Sequence, residues 1–313
     1  AIYSGKNLDE ISNLPKALKD IIAPYYPDYE ISHRRESKDG TRKYVVRYSD
    51  GNIVECVLMK YKYGFTLCVS TQVGCRMGCK FCASTLHGLA RNLSAGEIMG
   101  QVVKVNRDLG GSRKSRLITN VVMMGSGEPL DNFENVVKFV RLLSSAKGMN
   151  ISQRNISLST CGLVDRIDKL AEENFNITLT ISLHATTDEN RRQIMPIANR
   201  FTIDEIIAAC RRYFDKTGRR IYFEYTLIKD VNDTDADAQR LAKLLHGLTC
   251  HVNVIPLNAV KERQLQGVAR LQAYEFVGKL KKLGLSATVR RTMGEDIEGA
   301  CGQLRNSILE NNH

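Results

Sequence analysis

The strongest constraint on this chain is an alternation that begins after residue 83, in which a short apolar run is followed by a longer amphipathic stretch, again and again. The runs TNVVMMG, NISLSTCG, ITLTISLHA, IYFEYTLI and HVNVIPLN have strand length and many β-branched residues, and FTLCVSTQ precedes them. Between them SAGEIMGQVVKVNRDLG, NFENVVKFVRLLSSAKG, LVDRIDKLAEEN, TIDEIIAACRRYFDKTG, ADAQRLAKLLHG and RLQAYEFVGKLKKLG read as helices. Ser94, with Glu97 three residues on, forms a capping box that fixes the start of the first. Apolar strands joined by helical crossovers are buried on both faces and run parallel. Right-handed winding then curls the sheet wholly or partly into a barrel. The expected class is α/β, a partial (β/α)6 barrel, and 313 residues is not too long for one such unit.

Functional residues of such folds gather at the C-terminal ends of the strands. Here those ends carry Gln72, Ser126-Gly127-Glu128, Ser159-Thr160, Ser182, His184 and Asn258, which should face one bowl. Ahead of the core, residues 1–40 read as short helical pieces broken by Pro15, Pro24 and Pro27. Residues 41–66 read as a β-meander with turns at Asp50-Gly51-Asn52 and Lys62-Tyr63-Gly64, residues 67–300 as the core, and residues 301–313 as a C-terminal loop and tail.

Nine cysteines, an odd number without framework spacing, do not read as a disulfide scaffold. Cys56, Cys210 and Cys250 fall within apolar patterns and are expected in the core. Cys75, Cys79 and Cys82 differ: GCRMGCKFCAS spaces them C-x3-C-x2-C on one loop, where several thiolates can converge on a soft metal. Structural zinc takes four ligands, commonly from two C-x2-C pairs, and a second pair is missing, so zinc stands second. A four-iron cluster on three cysteines keeps one iron open for a cofactor or substrate.

Lysine and arginine outnumber aspartate and glutamate by 45 to 34, a net charge of +11 that favours a polyanionic partner such as nucleic acid. Arg211-Arg212, Arg219-Arg220, Arg290-Arg291 and Lys279 to Lys282 are candidate phosphate contacts. No apolar run approaches the roughly 18 residues of a membrane span. The first residues lack the basic and apolar pattern of an export signal, so a cytoplasmic protein without a membrane partner is expected.

A C-x3-C-x2-C loop after the first strand of a strand–helix barrel resembles the radical S-adenosylmethionine (SAM) superfamily. There, three cysteines hold a 4Fe-4S cluster and SAM chelates the open iron, to be cleaved into a 5′-deoxyadenosyl radical. VSTQVGCRMGCKFCAS, GLARNLSAGEI, MMGSGEPLDN, STCGLV, SLHA, RRQIMPI and TVRRTMGEDIEGACGQLR together resemble the RlmN family of bacterial RNA methyltransferases, over residues 1 to about 305. That resemblance implies methylation of adenine C2 in 23S ribosomal RNA and transfer RNA. It makes Cys75, Cys79 and Cys82 the cluster ligands, and Gly127, Glu128, Ser159, Ser182, His184 and Asn258 the SAM contacts. It further implies an electron donor such as flavodoxin, a monomer, and a longer helical accessory domain of which residues 1–40 would be the remnant.

The chemistry gives those residues a reason. Adenine C2 lies between two ring nitrogens and has no lone pair with which to attack a sulfonium, so ordinary methyl transfer fails. The resemblance implies that Cys301 carries the methyl group as S-methylcysteine and joins the RNA covalently. Glu55 then takes the C2 proton, and Cys68 attacks the sulfur to release product with a disulfide left behind. Glu55 interrupts an apolar strand and could instead lie on a solvent face; Cys68 could be a packed strand residue; the small neighbours of Cys301 suggest a mobile loop. Cys161 is not expected to be a third catalytic thiol. The rivals are an adenine-C8 methyltransferase of the related resistance type, a non-catalytic RNA-binding protein with a structural metal site, and a radical enzyme for a small molecule. The last explains neither the charge nor Cys301.

Overall fold

The computed structural model describes residue 8, residues 10–23 and residues 29–304. A short helix α1 (Lys16–Ile22) leads into the strands β1 (Tyr29–Glu36), β2 (Arg42–Tyr48), β3 (Ile53–Tyr61) and β4 (Gly64–Cys68). The helical expectation for residues 1–40 therefore fails at Tyr29–Glu36, which pairs antiparallel with β2. This strand hid from the sequence because it lies at the sheet edge with mostly exposed side chains, so no apolar alternation marks it.

FTLCVSTQ is not one strand. β4 ends at Cys68, and β5 (Gln72–Gly74) forms a separate two-stranded ribbon with β6 (Leu89–Asn92), which displays the cysteine array on the loop between them. The core then follows the expected alternation: α2 (Ala95–Asp108), β7 (Ile118–Met123), α3 (Phe133–Ser144), β8 (Ile156–Thr160), α4 (Val164–Glu172) and β9 (Thr178–Ser182). It continues with α5 (Asp188–Ile194), α6 (Ile203–Thr217), β10 (Ile221–Leu227), α7 (Asp235–Leu245), β11 (Cys250–Pro256), α8 (Arg270–Lys282) and β12 (Ala287–Val289). The capping box at Ser94 is formed, and Thr202–Glu205 and Thr234–Asp237 form two more, satisfying helix N–H groups that would otherwise be orphaned.

One ten-stranded sheet runs β1-β2-β3-β4-β7-β8-β9-β10-β11-β12. Its first three pairings are antiparallel, and from β4 onward every pairing is parallel. The six expected parallel strands are present, and short β12 adds a seventh. Leu158, Leu179, Ile181, Phe223, Val252 and Val254 are fully buried, as strands covered on both faces require. Cys56, Cys210 and Cys250 are buried in the same core.

The sheet order is open, with β1 and β12 at its ends, and the segment after β12 bridges them. Gly294 N donates to Asp39 Oδ2 at 3.0 Å, Lys38 N to Asp296 Oδ2 at 3.2 Å, and Lys43 Nζ to the Glu298 carbonyl at 3.3 Å. This crossing carries Cys301 from the last parallel strand back to the first.

Candidate active site

At the C-terminal ends of the parallel strands lies a cavity of about 920 Å³, its open mouth included. Cys75, Cys79 and Cys82 line it from the ribbon loop; Gly127 and Glu128 follow β7, Ser159 is in β8, Ser182 ends β9, and His184, Asn258 and Cys301 complete the wall. Every residue expected to hold the cluster or SAM thus faces one space. Gln72 and Ser126 do not line it. Gln72 instead positions its neighbour: its Oε1 accepts from Glu128 N at 2.8 Å, while its Nε2 donates to Asn92 and Asp131.

The cysteine loop is held by backbone geometry. Gly74 adopts φ +74°, and a Cβ there would sit 2.0 Å from the Gly88 carbonyl oxygen, to which Cys75 N donates. Thr85 Oγ1 donates to the Cys79 and Cys82 carbonyls, and Lys80 N to the Ile194 carbonyl. The Phe81 ring meets His184 edge-on at 4.7 Å, which fixes the loop against the end of β9.

Glu128 is buried, and burial raises its pKa. Its oxygens accept from Leu130 N at 3.0 Å and Cys161 N at 2.7 Å, so the carboxylate is oriented by backbone before any ligand arrives. Gly127 (φ +105°) passes so close to Gln72 that a Cβ would lie 2.6 Å from that side chain. Ser159 and Ser182 face each other across β8 and β9 at 3.4 Å. Burial first, then Arg191, pushes His184 down to about 3, so it is neutral over the working pH range. Its Nδ1 accepts from Thr226 N at 3.0 Å, which leaves the proton on Nε2.

A second cavity adjoins the first. Asn258, Arg290 and Cys301 line both, and Cys68 lines only the second. Cys68 clusters with Val57 and Leu304. Burial, then the Cys301 thiol, pushes Cys68 up to about 12 against an opposing pull from Arg290. The expected mobile loop around Cys301 is tethered instead: Asn258 Nδ2 donates to the Cys301 carbonyl at 3.0 Å, Ala83 N to Gly302 at 2.7 Å, Ser84 Oγ to Leu304 at 2.8 Å, and Gln303 Nε2 to Ala259 at 2.9 Å. Small residues here serve close packing on the cysteine loop. All nine cysteines are free thiols.

Glu55 is buried and lines neither cavity. It shares a face of β3 with Val57, the residue paired with Cys68, but its carboxylate lies 3.0 Å from Lys43 Nζ. A solvent-face role is excluded by that burial.

Three functional neighbours escaped the sequence. Arg290, expected on phosphate, lies between the two cavities, paired with Glu224 at 3.1 Å and donating to Met124 Sδ. Glu224 itself lines the first cavity and accepts from Asn253; its only sequence signal was a charge inside the apolar run IYFEYTLI. Arg191 is fully buried. It donates to the carbonyls of Leu183 (3.1 Å), Cys161 (2.6 Å) and Ser182 (3.3 Å), and it lies within electrostatic reach of Cys79.

The donor set fits an iron–sulfur cluster better than a single ion. Structural zinc takes four ligands, whereas the ribbon loop offers three thiolates to this cavity wall. A multi-iron cluster takes its thiolates at separate corners of one cavity. Arg191 Nη1 is buried with no hydrogen-bond partner among the described residues, and the charge of this guanidinium reaches Cys79.

Parallel strands whose ends surround a three-cysteine loop define a radical SAM enzyme, and residues 69–242 match the family model of the Radical SAM superfamily. A protein of Clostridium perfringens (strain SM101 / Type A) named probable dual-specificity RNA methyltransferase RlmN is 52% identical over 308 residues, covering 97% of this chain and 87% of its own length. Its namesake in Clostridium acetobutylicum is 50% identical over 313 residues, with coverages of 99% and 89%. The crystal structure of a radical SAM methyltransferase from Sphaerobacter thermophilus superposes with a TM-score of 0.90 at 45% identity, over 96% of this chain and 89% of that one. The chain belongs to the RlmN family of radical SAM RNA methyltransferases, enzymes that use a 4Fe-4S cluster and SAM.

Proposed function

We propose that this protein methylates C2 of adenine in 23S ribosomal RNA and in transfer RNA, with Cys301 carrying the methyl group and Cys68 releasing the product. The observation that carries this reading is the common wall of the two cavities: Cys301 lines both, the cysteine array only one, and Cys68 only the other. One thiol can therefore be loaded on the cofactor side and resolved on the far side.

Cys75, Cys79 and Cys82 hold the cluster, and Gly127, Glu128, Ser159, Ser182, His184 and Asn258 hold SAM. When bound, the cluster supplies an electron, and SAM supplies the methyl group and the power to abstract hydrogen from it. Glu128 accepts from the cofactor's ammonium, and neutral His184 offers Nε2–H as a donor. Asn258 holds the Cys301 carbonyl and so sets where its sulfur can reach. Once the Cys301 carbon is bonded to C2, Glu55 accepts the C2 proton and the adduct's unpaired electron would return to the bound cluster; Glu55 must first part from Lys43, 3.0 Å away. Cys68 then bonds to the Cys301 sulfur while the carbon–sulfur bond breaks. The carbon keeps the electron pair and takes a proton to become the new methyl group.

A single chain carries every residue in this scheme, so a monomer suffices, and a reduced flavodoxin-like protein is the proposed electron donor. No helix among the described residues is long and apolar enough to cross a membrane. Mass spectrometry of RNA treated with the reconstituted enzyme is expected to find 2-methyladenosine; exclusive formation of 8-methyladenosine would contradict the assignment.

A further inference from the structure

The end of β3 and the turn that leads to β4 carry two aromatic rings. Tyr61 and Tyr63 stack with centroids 5.0 Å apart and planes 6° from parallel. Tyr61 is half-buried and lines the cavity of Cys68 and Cys301, whereas Tyr63 is 63% exposed. A lone exposed ring needs no explanation, but a preformed stack at the rim of a reaction cavity leaves one flat aromatic face open beside the site. Lys60 in β3 and Lys62 in the turn are exposed, and exposed Arg291 stands in the wall of the same cavity. Among the described residues none of these three cations enters an ion pair, unlike Arg212, held by Asp168, or Lys279, held by Asp235. Aromatic faces interleaved with unpaired cations match the chemistry of a single-stranded nucleic acid: bases stack, and phosphates pair with the charges.

The reaction itself creates a need for such a surface. Adenine C2 is shielded within a stacked helix, so the target nucleotide must leave its stack before a thiol-borne carbon can reach it. A neighbouring base loses a stacking partner at that moment. We infer that Tyr61 and Tyr63, with Lys60, Lys62 and Arg291, form a platform on which an unpaired nucleobase of the RNA substrate stacks next to the adenine being modified. The occupant is a base flanking the target; the target itself enters the cavity. This rests on the reading of the protein as an RNA methyltransferase and adds to it the surface that holds the opened strand.

The chain contains no tryptophan, so Tyr63→Trp places a single indole reporter on the platform. Titrating the cluster-loaded variant with a single-stranded adenine-containing oligoribonucleotide is expected to quench and saturate that emission, with affinity at or above that of the parent. Tyr63→Ala is expected to raise the dissociation constant for the same RNA, read by fluorescence anisotropy, by about 5- to 140-fold, the worth of one base–aromatic stack. Reductive SAM cleavage without RNA should stay unchanged, which shows that the variant is folded and loaded. Lys62→Ala should lessen the salt dependence of RNA binding by about one phosphate contact. If the parent binds this RNA while the indole emission does not move and Tyr63→Ala binds equally well, the platform is wrong and the methyltransferase reading stands. A parent that binds no RNA at all overturns both.

Discussion

Cys301→Ala is expected to reduce RNA methylation to background while leaving iron content, the cluster's absorption and SAM binding intact. Cys301 is separable from the proposed cofactor machinery because the array and the strand ends line the cavity assigned to the cluster and SAM, whereas Cys301 enters on the segment after β12. Its backbone anchors, from Asn258 and the cysteine loop, do not involve the thiol, so the loop should keep its place when the sulfur is lost. Without that sulfur no thioether carbon can bond to C2. Conversion of adenine to 2-methyladenine by the variant at more than about one-thousandth of the parent rate would mean that the methyl group travels by another route.

Arg191→Met carries the second large effect, this time on the scaffold. The guanidinium ties the carbonyls of Cys161, Ser182 and Leu183 to α5, joining the loop after β8 to the end of β9, and it is wholly buried. Methionine fills much of the volume but leaves these carbonyls without their donor, at about 1–3 kcal/mol for each buried group. A loss of about 3 kcal/mol or more is expected, or roughly 6–12 °C in the melting midpoint of a large domain. Cluster retention should fall as well, because the cation beside Cys79 is gone. Calorimetry of parent and variant, together with iron quantification after identical reconstitution, checks both. An unchanged midpoint and iron content would show that the buried guanidinium does neither job.

Regular features of this fold were legible because they repeat. Buried parallel strands and amphipathic helices leave periodic signals, and the strand-end rule then delivered the residues around the larger cavity, from Gly127 to Asn258, without knowledge of any distance. Where a segment leaves the average, its signal fades. β1 is an exposed edge strand, α5 is seven mostly polar residues, and β12 has three residues.

Charges misled for a different reason. A sequence shows that Arg290 and Arg191 are cations but not what they meet, and their partners lie far along the chain or on the backbone: Glu224 for the first, three carbonyls for the second. The same holds for Arg212 and Lys279, whose partners Asp168 and Asp235 lie on other helices. Glu55 is intermediate. Its interruption of an apolar strand marked it correctly as unusual, yet only the fold reveals Lys43 against it.

The pairing of Cys68 with Cys301 is the centre of the account. The crossing segment brings Cys301 over β4, where Cys68 lines the cavity they share. The most direct test is turnover of the Cys68→Ala variant with cluster, SAM, reductant and RNA, followed by nuclease digestion and mass spectrometry of the protein. The expected result is an adenine nucleotide joined through a methylene carbon to Cys301, stranded because no second thiol can break the carbon–sulfur bond. RNA released at the parent rate with 2-methyladenosine in it, and no adduct on Cys301, would contradict the account.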